Sequence, residues 1–502
     1  MKLNFSPRYQ QLLDTLGAYT LACSTVYVDQ YTVAPKKGAS RTNEALTILS
    51  QFAFNLENNP GTIAWLEEEY AAMADGSLEQ KEVGLRLKKL QDTREIPSPL
   101  YRKWQESAAE SETIWHEAKV QSDYERFRPA LEKVISYTLQ AASYSPRFDP
   151  AHPYDYLLSL YEPGMNQEKY DAFFEAILED LGPLVKKAAA ARPKDLSLLH
   201  APVSDAQQEK LASEVLDFLK ADRDRLAIST TEHPFTDFLS HDDVRITTHY
   251  EPDQFVSSIL STVHEYGHAL YHLQTEAAFD KTMLVEGVGC AAHESQSRLL
   301  ENHIGRSRAF WSVLLPALRK EIPALETVDA DTLFTLVNTC RPSLIRTDAD
   351  ELTYPFHILI RYEIEKKMAA GTLDYATLPQ LWNDLYETYL GARPENDREG
   401  VLQDVHWSSG DLGYFPSYAL GSAYAAQIYE AMERDIDPEQ LILENRFEDI
   451  AAWLEKNVHR YGASKTMLEI VEEVSGKPFD PHIYTGMLKK KYAPLLEDQA
   501  ED

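Results

Sequence analysis

Two histidines four residues apart, His264 and His268, constrain the fold of this chain more than any other feature of its sequence. In an α-helix, residues i and i+4 lie on one face, so both imidazoles can bind a single cation. Glu265 follows the first histidine and can reach a metal-bound water from the flank of that face. An H-E-x-x-H pattern on a helix is typical of zinc peptidases. The sequence therefore predicts that a helix passes beside a metal centre here.

The residues around this motif favour a helix over 254–275. Pro252 and Asp253 are typical of a helix start, and apolar residues then recur at helical spacing beside the polar stripe that carries the histidines. Gly267 costs about 1 kcal/mol relative to alanine inside a helix. We therefore expect another backbone to pack closely against the helix at Gly267.

A catalytic zinc site needs a third protein ligand and an open position for water. Glu286 and Glu294 both follow His268 and compete for this role, and the segment from Glu286 onward reads as one helix. On one helix their carboxylates would lie about 80° apart around the axis, so the two cannot serve equally. Spacing alone does not choose between them.

Apolar residues recur at helical spacing over most of the chain, which predicts a mainly α fold. The best strand pattern covers 244–250, just before the metal helix. Such a strand could be an exposed edge to which an extended peptide adds by main-chain hydrogen bonds, or a core strand without substrate contact. The predicted helices are 7–30, 40–75, 77–94, 99–145, 167–192, 204–228, 254–275, 286–303, 307–321 and 350–370, with more after 375.

Six motifs between His233 and Trp407 resemble those of the carboxypeptidase Taq family of zinc metallocarboxypeptidases. They occur in the family's order, and the length of 502 residues agrees with it. A further N-terminal pattern is echoed with two departures, since Val28 stands where the family often has Trp and Ala34 where it often has Met. The six motifs are His233–Phe235 (HPF), Asp243–Thr247 (DxRxT), His264–His268 (HExxH), His293–Gln296 (HES(G)Q), Ile345–Asp350 ((I/V)RxxAD) and Gly400–Trp407 (GxxQDxHW).

The resemblance implies an enzyme that releases C-terminal amino acids from peptides with broad specificity. It implies Glu294 as the third ligand, beside His264 and His268, with one Zn²⁺ per chain and Co²⁺ as a substitute. Glu265 would then act as the general base on the metal-bound water.

For the fold, the resemblance implies a large helical peptidase with a long substrate groove, an N-terminal helical lid and a small β-sheet next to the metal-binding helix. We expect a single domain over 1–502, with the lid region in about 1–130 and the catalytic core in about 230–420. The family also implies a homodimer.

Two residues late in the chain are candidates for stabilising the tetrahedral oxyanion, which needs a donor besides zinc. His406 is the first candidate and Tyr418 the second, by similarity to related H-E-x-x-H peptidases. The alternative for His406 is a histidine packed beside Trp407, and for Tyr418 an aromatic residue of the core.

A carboxypeptidase must also bind the terminal carboxylate, for which the planar fork of arginine is best suited. Arg346 is the residue that the family pattern offers, and its alternative is an ion pair with Asp348 or Asp350. Arg245 is a second substrate-binding candidate. For Arg245 we favour the alternative, an ion pair within its own D-x-R motif.

Composition excludes several classes of protein. With 80 acidic and 49 basic residues the net charge is −31, which argues against binding to nucleic acid or anionic membranes. Three cysteines in no pairing pattern, no signal peptide and no long apolar stretch predict a cytoplasmic enzyme. The partners expected are peptides with a free C-terminus. The alternatives are a zinc oligopeptidase of related helical fold that cleaves internal bonds, and an inactive helical scaffold.

Overall fold

A computed structural model describes residues 2–501 of the protein, and the side chains of residues 2–497. This described part is mainly helical, with one small sheet, which confirms the predicted fold class. The helices are α1 (Pro7–Thr32), α2 (Ala39–Glu57), α3 (Pro60–Ala72), α4 (Leu78–Arg94), α5 (Ser98–Gln121), α6 (Tyr124–Ala142), α7 (Pro153–Tyr161), α8 (Gln167–Ala190), α9 (Asp205–Phe218), α10 (Phe255–Gln274), α11 (Cys290–Arg298), α12 (Arg308–Glu321), α13 (Ala330–Val337), α14 (Tyr354–Ala369), α15 (Leu378–Leu390), α16 (His406–Ser409), α17 (Pro416–Asp435), α18 (Pro438–Leu443), α19 (Phe447–Asn457), α20 (Met467–Ser475) and α21 (Pro481–Glu501).

The sheet consists of three short strands in the order β1-β3-β2, where β1 is Leu226–Thr230, β2 is Thr236–Ser240 and β3 is Asp243–Thr248. Strand β3 pairs in parallel with β1 and in antiparallel with β2. The strand predicted over 244–250 is therefore the central one. Its interpretation as an exposed edge is wrong, because β2 and β1 form the edges of the sheet.

Several predicted helices end earlier than their periodicity indicated. The predicted helix over 40–75 divides into α2 and α3, because Asn59 caps a new helix through its side chain and Pro60 follows at the first position. The predicted helix over 99–145 divides at Ser122, whose φ of 55° ends α5. The predicted helix over 204–228 ends at Phe218, and its last residues belong to β1.

The apolar interior consists of one large cluster and two smaller ones. The large cluster begins at Ala118 and includes residues as late as Leu496. Residues from Tyr9 to Leu90, in the N-terminal helices, bury a separate cluster. The single domain and the lid limit near residue 130 remain predictions. Within residues 2–501, no helix combines the length and the apolar character needed to cross a bilayer.

Candidate active site

Helices α10 and α11 bring together three side chains that could hold a metal ion. His264 and His268 lie on one face of α10, and Glu294 of α11 faces them. The Oε2 atom of Glu294 lies 3.9 Å from the Nε2 atom of each histidine. Ligand atoms on a four-coordinate zinc with bonds of about 2.0–2.1 Å are about 3.4 Å apart, so small side-chain movements would close this set around a cation. Two imidazoles and one carboxylate are also the donor set of many catalytic zinc sites.

Glycine at two positions allows α11 to lie close to both α10 and α17. A Cβ atom on Gly267 of α10 would lie 2.6 Å from the Cα atom of Ser297, and one on Gly421 of α17 would lie 2.8 Å from the Cβ atom of Glu294. Neither position can hold a larger residue without displacing α11. The close backbone contact predicted from Gly267 is thus confirmed, and its partner is α11.

A carboxylate that the sequence analysis missed orients the first histidine. Glu301 Oε2 lies 2.9 Å from His264 Nδ1, which leaves the Nε2 atom of His264 facing Glu294. Glu301 lies in a π-helical segment, Leu299–Gly305, that continues α11. Such wide turns often occur at functional sites. A carboxylate behind a metal-binding histidine fixes the orientation and tautomer of its ring.

Two arginines hold the carboxylates of this site in place. Arg298 donates from Nε to Glu294 Oε1 over 2.7 Å and from Nη1 to Glu301 Oε2 over 3.2 Å. Arg306 donates to the other oxygen of Glu301 over 3.1 Å. With Oε1 of Glu294 bound to Arg298, its Oε2 is the atom that faces the two histidines. Hydrogen bonds from Arg298 and Arg306 thus fix the orientation of the Glu294 and Glu301 carboxylates.

Glu265 is buried beside these groups, with 7% of its surface exposed. The hydroxyl of Thr236, on β2, donates to its Oε2 atom over 2.6 Å. Burial raises the pKa of Glu265, while the charge of His264 and the Thr236 hydrogen bond oppose this shift. Burial and the neighbouring positive charges lower the pKa of His268 well below its usual range. His268 is therefore a neutral imidazole, the form that binds metals.

A cavity of about 1090 Å³ opens over this group and is large enough for several residues of a peptide. Tyr414 and Tyr418 line it, and their hydroxyls are 3.4 Å apart. Tyr414, which the sequence did not single out, lies just before α17, four residues before Tyr418. The ring of His406 packs on Phe415 at 4.5 Å and on Tyr414 at 5.2 Å. Its buried Nδ1 atom has no hydrogen-bond partner among the described residues.

Arg346 is paired with a residue that the sequence analysis did not consider. Its Nε atom donates to Asp404 Oδ1 over 3.0 Å, and its Nη2 atom lies 2.9 Å from the same oxygen in an ion pair, so the expected alternatives Asp348 and Asp350 are wrong as partners. Asp404 also accepts hydrogen bonds from Arg361. The guanidinium of Arg346 lies 5.2 Å from the ring centre of Tyr418, next to the cavity.

The two remaining candidates are not members of the group formed by His264, His268 and Glu294. Arg245, on β3, donates from Nε and Nη2 to Asp243 over 3.0 and 2.9 Å, which is the ion pair that we favoured. Glu286 precedes α11 instead of lying within it, since the helix begins at Cys290. The Oε2 atom of Glu286 lies 3.2 Å from the Nε2 atom of His293. Glu286 is therefore paired with His293 and not with His264 or His268.

This fold and site define an H-E-x-x-H metallopeptidase, with two histidines and a glutamate around a cavity and a buried glutamate beside them. The family model of the carboxypeptidase Taq (M32) metallopeptidases matches residues 8–492, and the chain belongs to this family. It is a metallocarboxypeptidase.

Known carboxypeptidases match this chain over more than nine tenths of its length. Carboxypeptidase 1 of Bacillus subtilis (strain 168) is 36% identical over 495 residues, which cover 98% of each chain. Thermostable carboxypeptidase 1 of Pyrococcus furiosus is 35% identical over 464 residues, covering 91% of this chain and 92% of the relative. The crystal structure of the M32 carboxypeptidase from Deinococcus radiodurans R1 superposes with a TM-score of 0.93 at 33% identity, over 98% of this chain and 100% of that one. These findings favour a carboxypeptidase over the oligopeptidase alternative.

Proposed function

We propose that this metallocarboxypeptidase uses one Zn²⁺ per chain, held by His264, His268 and Glu294, with Co²⁺ as a substitute. The observation that carries the proposal is the position of Glu294 Oε2, 3.9 Å from both Nε2 atoms. Nitrogen and carboxylate donors in this number suit zinc and its first-row neighbours. When bound, such a cation polarises the scissile carbonyl and makes a nearby water more acidic.

Glu265 is the general base and then the general acid. It accepts a proton from the attacking water and passes it to the leaving amine, so that one carboxylate serves both halves of the reaction. Its burial and raised pKa favour acceptance of the proton from water, and Thr236 holds the carboxylate in one orientation.

Tyr418 and His406 stabilise the oxyanion that forms on the attacked carbonyl. The Tyr418 side chain lines the cavity and can donate its hydroxyl hydrogen directly. Burial lowers the pKa of His406 to about 4, although the charge of Asp404 opposes the shift. The ring is therefore neutral near pH 7 and retains one N–H donor.

Arg346 binds the C-terminal carboxylate of the peptide. Its Nη1 atom makes only a long contact of 3.4 Å, to the hydroxyl of Tyr354, so this donor can bind a further oxygen. Asp404 holds the other side of the guanidinium and orients it. Arg245 is the weaker substrate-binding candidate, because Asp243 already occupies its fork.

The test compares a short peptide with its C-terminally amidated form, with chelator and after zinc addition. We expect zinc-dependent release of single residues from the free acid alone, loss of turnover in Glu265→Gln, and a raised KM in Arg346→Lys. Arg245→Lys tests the weaker candidate in the same way and should raise KM less than Arg346→Lys does. If Arg346→Lys and wild type hydrolysed each of the two peptides at the same rate, the role of Arg346 would be contradicted. Undiminished turnover in Glu265→Gln would contradict the assigned base.

We also propose that the enzyme is a broad-specificity peptide hydrolase of the cytoplasm and a homodimer. All three cysteines are free, which suits a reducing compartment. Helix α2 contains no buried residue, and Ile48, Phe52 and Phe54 on it are about half exposed. An apolar surface of this kind is typical of a subunit interface. Light scattering on wild type and Phe52→Glu tests the dimer, which the substitution should weaken.

A further inference from the structure

Three side chains on the cavity wall, next to the three proposed ligands, form a second group with metal-binding chemistry. His272 lies one helical turn beyond His268 on α10, His293 precedes Glu294 on α11, and Glu286 lies in the segment before α11. One ligand atom from each of His272, Glu286 and His293 lies within 4.8 Å of the other two. The reaction proposed above uses none of these three side chains.

Both imidazoles of this group have a buried nitrogen that lacks a hydrogen-bond partner among the described residues: Nδ1 of His272 and Nε2 of His293. His272 is only 7% exposed. Glu286 Oε2 is 3.2 Å from His293 Nε2, within ion-pair distance but without the geometry of a hydrogen bond. A buried polar atom without a partner is unfavourable, so a ligand shared by the two nitrogens would explain their arrangement.

Neighbouring residues fix the two rings in place. His272 stacks on Phe238 of β2, with ring centres 4.5 Å apart and an interplanar angle of 17°. The ring of His293 lies 4.4 Å from that of His272 and 4.7 Å from that of Tyr271. The segment that carries Glu286 approaches closely at Gly287, where a Cβ atom would lie 2.8 Å from the Tyr271 hydroxyl. Two imidazoles held by their neighbours and one exposed carboxylate are thus brought close together.

We propose that His272, Glu286 and His293 bind a second divalent transition-metal ion, of which Zn²⁺ fits the donor set best. Four-coordinate zinc places its ligand atoms about 3.4 Å apart, a contraction that movement of the Glu286 carboxylate can supply. Because His268 and His272 are one turn apart on α10, the two ions would be separated by about 5–6 Å. This exceeds the spacing of about 3.5–4 Å in two-metal sites, so the second ion is a separate one.

The second ion would stand on the wall of the same 1090 Å³ cavity and reduce the space for a peptide. The negative charge of Asp237, which lines the cavity beside Glu286, would help to offset the cost of placing a second cation there. Zinc in excess of one equivalent should therefore inhibit peptide hydrolysis. The assignment of the second site is independent of which residues perform catalysis.

The experiment titrates the full-length, chelator-stripped chain with Co²⁺ and counts bound ions by equilibrium dialysis and by the visible absorption of cobalt. Wild type should bind two Co²⁺ ions per chain, whereas Glu286→Gln and His272→Asn should each bind one. His264→Asn should lose the first ion and keep the second. Glu326→Gln, which removes another exposed carboxylate, is the matched control and should bind two.

A stoichiometry of one in wild type would overturn the proposal, as would two ions retained in both Glu286→Gln and His272→Asn. Glu286 is exposed, so its variant remains decisive if His272→Asn fails to fold. In peptide hydrolysis, excess Zn²⁺ should inhibit wild type and Glu326→Gln but not Glu286→Gln. Equal inhibition of all three would refute the inhibitory role. Failure of the proposed function would appear differently, as no turnover at one equivalent of zinc in any of them.

Discussion

Replacing Glu301 by Gln should weaken metal binding while leaving the fold intact. The carboxylate accepts charge-assisted hydrogen bonds from His264, Arg298 and Arg306 at 2.9, 3.2 and 3.1 Å. Gln has the same size but lacks the negative charge that holds the His264 ring and increases its basicity. Loss of such a partner behind a metal-binding histidine typically lowers metal affinity by about 10- to 100-fold, or about 1.4–2.7 kcal/mol.

The assay is competition for Zn²⁺ between the enzyme and a fluorescent chelator, together with kcat/KM at limiting and at saturating zinc. Turnover by Glu301→Gln should fall at limiting zinc and recover largely at saturation. Glu351→Gln is the matched control, because Glu351 is also a buried carboxylate and is paired with Lys491 over 2.6 Å. It should lower the free energy of unfolding without changing zinc affinity. A zinc Kd in Glu301→Gln equal to that of wild type would refute the orienting role of this carboxylate.

Three further predictions follow from the packing and the buried charges. Gly267→Ala would place a methyl group 2.6 Å from Ser297 Cα. The substitution should lower the free energy of unfolding by about 1–3 kcal/mol, which a lower Tm would show. An unchanged Tm would contradict the close packing. Burial raises the pKa of Glu162 from 4.5 to about 8, so the folded state keeps a proton that the unfolded chain loses, and stability falls as the pH rises from about 4.5 to about 8. Glu162→Gln should therefore raise Tm more at pH 8 than at pH 5, and an equal change at both would contradict this. Thr236→Val should lower kcat by about tenfold with little effect on KM, and Thr236→Ser should restore it; equal kcat in all three would exclude a positioning role.

The sequence predicted the metal helix well because two independent signals coincide there. The histidine spacing requires a helix, and the apolar periodicity over 254–275 indicates the same element, found as Phe255–Gln274. The predicted element boundaries were wrong where the local sequence pattern was short or weak. Strand β1 has only five residues and follows α9 closely, so its apolar residues were assigned to the predicted helix over 204–228.

The contacts that complete the site join residues distant in sequence, and periodicity does not report on these. Thr236 and Glu265 are 29 residues apart, and Arg346 and Asp404 are 58 apart. The choice of Glu294 over Glu286 likewise could not be made from spacing, because it depends on where α11 begins. The structure shows a start at Cys290, after Gly289 with a φ of 87°, which an unbroken helical pattern does not reveal.

The π-helical segment Leu299–Gly305 makes this enzyme sensitive to changes in chain length at one point. Its wide turn sets the angular position of Glu301 relative to Glu294, and one residue of an α-helix corresponds to about 100° of rotation. A homologous chain lacking one residue between these glutamates could keep its helices and its H-E-x-x-H motif, yet turn the carboxylate away from His264. Most point substitutions in this segment should be tolerated better than the deletion of one residue. Chains selected for metal binding should therefore keep the same number of residues between these two glutamates.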